Sequence, residues 1–245
     1  MSGKGDMPHF KKTSPLSHDS RVKAAYEPAC RLVSLFTASG ELDVTANLAL
    51  NLGRQAASQG ETVLILDAIE GALMDRAGII YARTLEDVAN EAASAQDALY
   101  VTSNEHFTAA AVGDTGLEPT LGLLAALSLS YDWVFVVPKA GCETGHVHLG
   151  QASDVSLMCY DTKADQVMRA YWMIEALRRR APNYDPLILS TGAQSDAVET
   201  AFMLSETIRE HLGAPPPYAG HAVDAHLEPR LLAQMRTKAD HLAVA

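Results

Sequence analysis

The sequence predicts a doubly wound α/β fold, with a mainly parallel sheet and helices on both of its faces. Three observations carry that expectation. Short runs rich in β-branched and large apolar residues recur along the chain, as in RLVSLF (31–36), TVLILDA (62–68), WVFVVP (133–138), DVSLMCY (154–160) and PLILS (186–190). Most are near-continuously apolar, which marks strands buried on both faces. Between them lie stretches with the 3–4-residue apolar spacing of helices, and strands alternating with helices build a covered parallel sheet.

Residues 1–29 are polar, carry Lys4, Lys11, Lys12, Arg21 and Lys23, and show no sustained period, so a disordered tail is expected there. The remainder, 30–245, reads as a single α/β domain that includes a C-terminal helix. After the first strand, residues 42–58 place Leu42, Ala46, Ala49, Leu50 and Gly53 along one helical stripe, and Gly60 stands at the C-terminal cap. Thr84 and Asp87 form a capping box that opens a helix at 85–94. ALYVT (98–102) reads as a strand and 117–130 as a helix. Further helices are expected at about 164–180, 195–212 and 227–241, with Pro215, Pro216 and Pro217 closing the second of these.

The chain has 245 residues, 48% apolar and 20% charged, an ordinary globular composition. Its longest apolar stretch, Leu121 to Val137, is broken by Ser128, Ser130 and Asp132, too polar a run to span a bilayer. The N-terminus lacks the apolar core of a signal peptide, and three scattered cysteines suit reduced thiols, so a cytoplasmic protein is expected. Nineteen Lys and Arg against thirty Asp and Glu leave a net charge of −11. Such a chain repels a phosphate backbone, so no nucleic acid is expected as partner.

In sheets of this kind ligands bind beyond the carboxyl ends of the strands. The first strand-to-helix turn, SLFTASGELDVTANLALNLGRQAASQGETVLILDAIEG (34–71), resembles the opening of the MinD/ParA family of deviant Walker P-loop ATPases, which includes the flagellar-number regulator FlhG. The NLAL at 47–50, Gly60 and the strand 63–68 fall in the family frame without a gap. Thr84 to Val88, the strand from Tyr131 with its Pro138 and Gly141 turn, residues 154–177 and the segment 186–220 extend the likeness over about 31–235.

The chemical signature is lost within that frame. Alignment back from Asn47 puts the family's signature lysine on Phe36 and its next three positions on Thr37, Ala38 and Ser39. Gly40 keeps one glycine. The P-loop lysine falls on Glu41, the magnesium-ligating threonine on Leu42, and the aspartate before the turn on Val137. Asp67 retains one acid of the DAD motif. A phosphate cradle needs open backbone amides, a lysine on the β- and γ-phosphates and a hydroxyl on the metal. Glu41 replaces that attraction with a repulsion of roughly 4 kcal/mol at ~4 Å and an effective dielectric of ~20. At a helix N-terminus the same carboxylate is favourable, so Glu41, with Asp43, can fill the vacated anion position.

No cofactor is expected on this reading. ATP and Mg²⁺ return only if the loop alignment fails, with Arg31, Arg54, Arg76 or Arg83 as substitute phosphate ligands. Cys142, His146 and His148 are zinc-type ligands within seven residues, but no fourth ligand accompanies them in sequence, and the resemblance makes this stretch the mobile segment after the second Walker strand. Asp67 alone reads as a sheet-end cap. Ser39, His106 and Asp114 lack the elbow of a serine hydrolase, and Gly3-Lys4-Gly5 follows no strand. Arg178, Arg179 and Arg180 suit a helix C-terminus. Leu232, Met235, Ala239 and Leu242 form a short stripe that favours packing on the domain over membrane docking.

The resemblance therefore implies a pseudo-ATPase that acts through protein partners, either a second copy or an active MinD/ParA-type paralogue. It would serve the spatial or number regulation of a polar structure such as a flagellum, pilus or division site, with recruitment to a cell pole. The alternatives are an active enzyme with an unorthodox nucleotide or metal site, and a ParA-like DNA-partitioning protein.

Overall fold

The computed structural model describes residues 30–38, 42–102, 106–114 and 116–243, with side chains in the last helix described through residue 239. The expected disordered tail, 1–29, lies outside the described residues.

An eight-stranded sheet, in the order β3-β4-β2-β5-β1-β6-β7-β8, forms the middle layer. Its central strands are β1 (Arg31–Thr37), β2 (Val63–Ala68), β5 (Trp133–Pro138) and β6 (Val155–Asp161). They are parallel and fully or almost fully buried, which accounts for their continuous apolar character. Beyond β6 lie β7 (Leu187–Thr191) and the edge strand β8 (Tyr218–His221). At the other edge β3 (Tyr100–Val101) pairs antiparallel with β4 (Thr108–Ala111).

Alternating strand residues feed two cores. Val33, Leu35, Trp133, Phe135 and Val137 face α1 (Leu42–Ser58), α2 (Ala72–Arg76) and α9 (Leu227–Ala243). Phe36, Val134, Val136, Met158 and Tyr160 face α5 (Leu121–Ser128), α6 (Thr144–Ala152), α7 (Ala164–Arg180) and α8 (Ala197–Leu212). The sheet is thus wound on both faces, as its sequence predicts.

Of the expected C-terminal stripe, Leu232, Met235 and Ala239 lie in the first core, and the Leu242 side chain lies outside those described. Leu231, Leu232 and Met235 have no exposure, Ala239 is buried, and Arg236 reaches Glu61 across to the β2 approach. That helix therefore has its apolar side against the domain. Among the described residues, no helix is long and apolar enough to cross a membrane.

Several local expectations need correction. The helix expected at 85–94 ends early, as α3 (Leu85–Ala89), and a further short helix that was not expected, α4 (Ala95–Ala98), follows it. Glu91 adopts a left-handed conformation (φ 59°), and Ser94 with Asp97 opens a second capping box. The Thr84 and Asp87 box is present as expected. The strand at 98–102 shrinks to two residues, while β4, β8, α2 and α6 were not expected. β4 is mostly alanine and β8 contains glycine, so neither carries the β-branched signal that periodicity relies on.

Candidate functional site

The connections after β1 and β5 leave in opposite directions, β1 into α1 on one face and β5 into α6 on the other. The crevice at the carboxyl ends of β1, β5 and β2 is therefore the switch point where such sheets take ligands. Among the described residues, Phe36, Thr37, Asp67 and Val137 lie at these strand ends.

Phe36, near the end of β1, has no exposure. Its ring meets Tyr184 edge-on, with centroids 6.0 Å apart at 81°, and lies 6.2 Å from the His146 ring. Thr37 ends β1 opposite Cys159, and the Ala38 N–H donates to the Cys159 carbonyl at 2.8 Å. Both residues are buried. Ser39, Gly40 and Glu41 lie outside the described residues. Leu42 begins α1 and packs partly buried on the first core.

Asp67, the penultimate residue of β2, has 1% exposure and spends both carboxylate oxygens on backbone. Oδ1 accepts from Ile69 N at 2.9 Å, and Oδ2 accepts from Leu73 N at 2.8 Å and Met74 N at 2.9 Å. It thereby caps α2, whose own N-cap position, Gly71, has no side chain to do so. The sheet-end-cap reading of Asp67 matches this geometry. Val137 lies in register beside it, fully buried and apolar.

The turn after β5 is locked by α6. His146 is buried, with Nε2 2.8 Å from the Lys139 carbonyl oxygen. A carbonyl only accepts, so Nε2 carries the proton, and Nδ1 has no partner among the described residues. A Cβ at Gly141 would lie 3.1 Å from this ring, a tight approach that the ring would have to give a few tenths of an ångström to accept. Cys142 is half-buried, and burial raises its thiol pKa. His148, two residues beyond His146, points out of the helix instead, with Nδ1 3.8 Å from Glu118 Oε1. Cys142, His146 and His148 are not brought together. Among the described residues no three His, Cys, Asp or Glu side chains could hold a metal ion. The stretch read as a mobile segment is the helix α6 from Thr144 onward.

Two cavities open on this rim. One of about 200 Å³ is lined by Ala68, Leu117, Pro138, Lys139, Thr144 and His146. Its neighbour, about 400 Å³, is lined by Asp67, Glu70, Tyr81, Glu86, Asp87 and Asp114. The Tyr81 hydroxyl pKa is raised, first by burial and then by the nearby carboxylates of Asp67, Asp75 and Asp114. The candidate arginines have protein partners. Arg76 pairs with Asp43 and donates to Asn47 at 3.2 Å, Arg54 donates to Asn51 and Arg83 faces Asp87 at 3.9 Å. Arg31 lies 5.2 Å over the Trp133 ring.

No protein-family model and no curated protein matches the chain. Solved structures do. The MinC:MinD cell division protein complex of Aquifex aeolicus aligns at a TM-score of 0.61 and 20% identity, over 85% of this chain and 86% of that one. A ParA family ATPase from Chlorobium tepidum aligns at 0.62 and 18%, over 84% and 90%. The septum site-determining protein MinD complexed with Mg-ADP, from Pyrococcus horikoshii, aligns at 0.60 and 16%, over 78% and 80%.

The chain has the MinD/ParA-type fold. Within that fold, sequence reasoning missed Tyr184 and the inward turn of His146. The only signal for either was the spacing of His146, Val147 and Leu149, which is too short to distinguish a helix from a turn.

Proposed function

We propose that this chain is a degenerate, FlhG-like MinD/ParA-type protein that acts by binding protein and uses no nucleotide. Its role would be the spatial or number regulation of a polar bacterial structure, from the cytoplasm and by recruitment to a pole. The observation that carries the reading is Phe36. The position aligned with the signature lysine is filled by a ring with no exposure, held between Tyr184 and His146.

The surroundings support it. A Mg-nucleotide fits these side chains poorly: both Asp67 oxygens are taken by backbone N–H groups, Val137 offers no ligand, and the adjoining cavity is acid-lined. Polyphosphate entering that potential is repelled. The partner would be a second copy or an active paralogue of the same fold; binding of a protein partner in general is supported by a structural neighbour that is itself in a MinC:MinD complex.

Calorimetric titration with ATP and Mg²⁺ tests the reading, wild type beside Glu41→Lys/Leu42→Thr. The expected result is no heat and no thermal shift for wild type up to millimolar nucleotide. Micromolar binding by wild type overturns it and returns the site to the enzyme class.

A further inference from the structure

Toward the amino ends of the strands, away from the rim, a groove of about 570 Å³ lies between α5 and α6. Leu121, Leu124 and Ala125 of α5 line it, with His148 and Ala152 of α6 and Leu32 of β1. Cys30 and Asp154, which stand just before β1 and β6, line its end. α5 has the sequence LGLLAALS, without a charged residue, yet Leu124 is its only buried residue. Gly122, Ala125 and Ala126 are exposed, and Leu129, just after the helix, is 88% exposed. A helix apolar on every side is normally a buried one, so the composition of α5 calls for a cover over the groove beside it.

Covalent connection and charge select the occupant. Residues 22–29 join the domain at Cys30, on the lip of the groove. Residues 1–29 carry five Lys and Arg against three Asp and Glu, a net +2, which leaves −13 on residues 30–245. Around the groove the charged groups are acidic. Asp154 and Asp132 are close enough to Cys30 to raise its thiol pKa, and Asp154 Oδ2 accepts from the Leu32 N–H at 2.8 Å. Glu118 lies 3.8 Å from His148 toward the other end. Arg31 is turned to the opposite face of the sheet, over Trp133. An α-helix rises about 1.5 Å per residue and an extended chain about 3.3 Å, so the length of α5 matches about four extended residues. In an extended chain Tyr26 and Pro28 fall on one side, and the proline favours extended backbone at Glu27 before it. Arg21 and Lys23 then lie upstream, toward Glu118.

We propose that the groove between α5 and α6 is the docking site of this chain's own segment 22–29, with Tyr26 and Pro28 against α5 and Arg21 and Lys23 toward Glu118. A second copy carries the same carboxylates around the same groove and must arrive from solution. Residues 22–29 are held at Cys30, at an effective concentration on the order of millimolar, and bring the opposite charge. An anionic bilayer meets those carboxylates too, so it is disfavoured. The inference uses none of the residues on which the nucleotide reading rests, so the two fail separately.

Limited trypsin digestion of the full chain tests this, with cleavage at Lys12 and Lys23 followed by mass spectrometry. A protease cuts the opened form of a segment, so docking of 22–29 slows cleavage at Lys23 and leaves Lys12 fast. Ala125→Trp fills the groove from an exposed position, and Tyr26→Ser removes the ring proposed to occupy it. Each is expected to speed cleavage at Lys23 at least about tenfold, with the rate at Lys12 unchanged. Tyr26→Ser leaves residues 30–245 unaltered, so the test stands even if Ala125→Trp disturbs the domain. Cleavage at Lys23 that Tyr26→Ser does not speed overturns the proposal. Protection of Lys23 that rises with protein concentration assigns the groove to a second copy. Fast cleavage at Lys23 in the wild type, together with sedimentation on phosphatidylglycerol vesicles, assigns α5 to a bilayer. Either of these also overturns it.

Discussion

The ring of Phe36 fills the space between Tyr184 and His146, and a lysine at that position would carry its ammonium into the same enclosure. Restoring the family residue therefore restores no phosphate contact. Phe36→Lys is expected to cost about 3–5 kcal/mol from lost packing, with a further penalty for the buried charge. Phe36→Leu should cost about 1.5 kcal/mol or somewhat more. Urea denaturation midpoints measure both, and ATP titration of the lysine variant should remain silent. If Phe36→Lys proves as stable as wild type, the side chain has an exit to solvent and the enclosure is not closed. Asp67 shows the complementary case. Its identity is kept in the family frame, yet three backbone N–H bonds give it a structural use, and buried donors left without an acceptor cost about 1–3 kcal/mol each.

Among the elements, those legible in sequence are the ones whose signal is internal to them. α1 and α7 occur at the expected 42–58 and 164–180, because each carries its own apolar stripe across several turns. β4, β8 and α6 were illegible because they are defined by neighbours: β4 by pairing with β2, and α6 by packing over Phe36 and Tyr184. β8 adds a problem of its own as an edge strand. Gly220 has φ 129°, Arg230 Nη2 donates to the Ala219 carbonyl at 3.2 Å, and Asp224 Oδ2 accepts from His221 N at 2.9 Å. These contacts occupy the strand's outward groups and block pairing with another chain. The Asp224 pKa is lowered, chiefly by the His221 N–H and then by Arg230. Its folded value lies below the unfolded one, so the stability it contributes is full above the ordinary carboxylate range of about 4 and is lost as pH falls through the folded value. Asp224→Asn is expected to lower Tm at pH 6, with the gap to wild type closing as pH falls through the folded value. A gap that stays constant with pH removes the carboxylate from that role.

At the scale of the whole molecule, the sheet encloses the groups that could have been reactive. Burial pushes the Cys159 thiol up to about 12 and, with Asp154 and Asp132 nearby, the Cys30 thiol up to about 11, and it raises Cys142 as well. A thiolate is the nucleophile, so none of the three is poised as one at neutral pH. Thiol titration at pH 8 is expected to be slow in the native protein, with Cys159 last, and rapid for all three in urea. A fast native thiol would point to chemistry at Cys142 that the fold does not otherwise display. The charge of −11 acts at the same scale, since it opposes polyphosphate and duplex DNA alike while leaving a basic protein partner favoured.

The sequence by itself determined the doubly wound class and the principal strands and helices, and its aligned frame supplied the expectation that Phe36, Glu41, Leu42 and Val137 stand where phosphate-binding residues would. Each of these can be read within one turn, one strand or one aligned frame. Only the tertiary structure decided that Phe36 is enclosed by Tyr184, that both oxygens of Asp67 are taken by backbone N–H groups of α2 and of the turn before it, and that His146 turns inward while His148 turns out. The reason is range. Hydrophobic periodicity reports which side of an element is buried, but a side chain's partner is set by the sheet that brings distant segments together, and that order is written in no single stretch of chain.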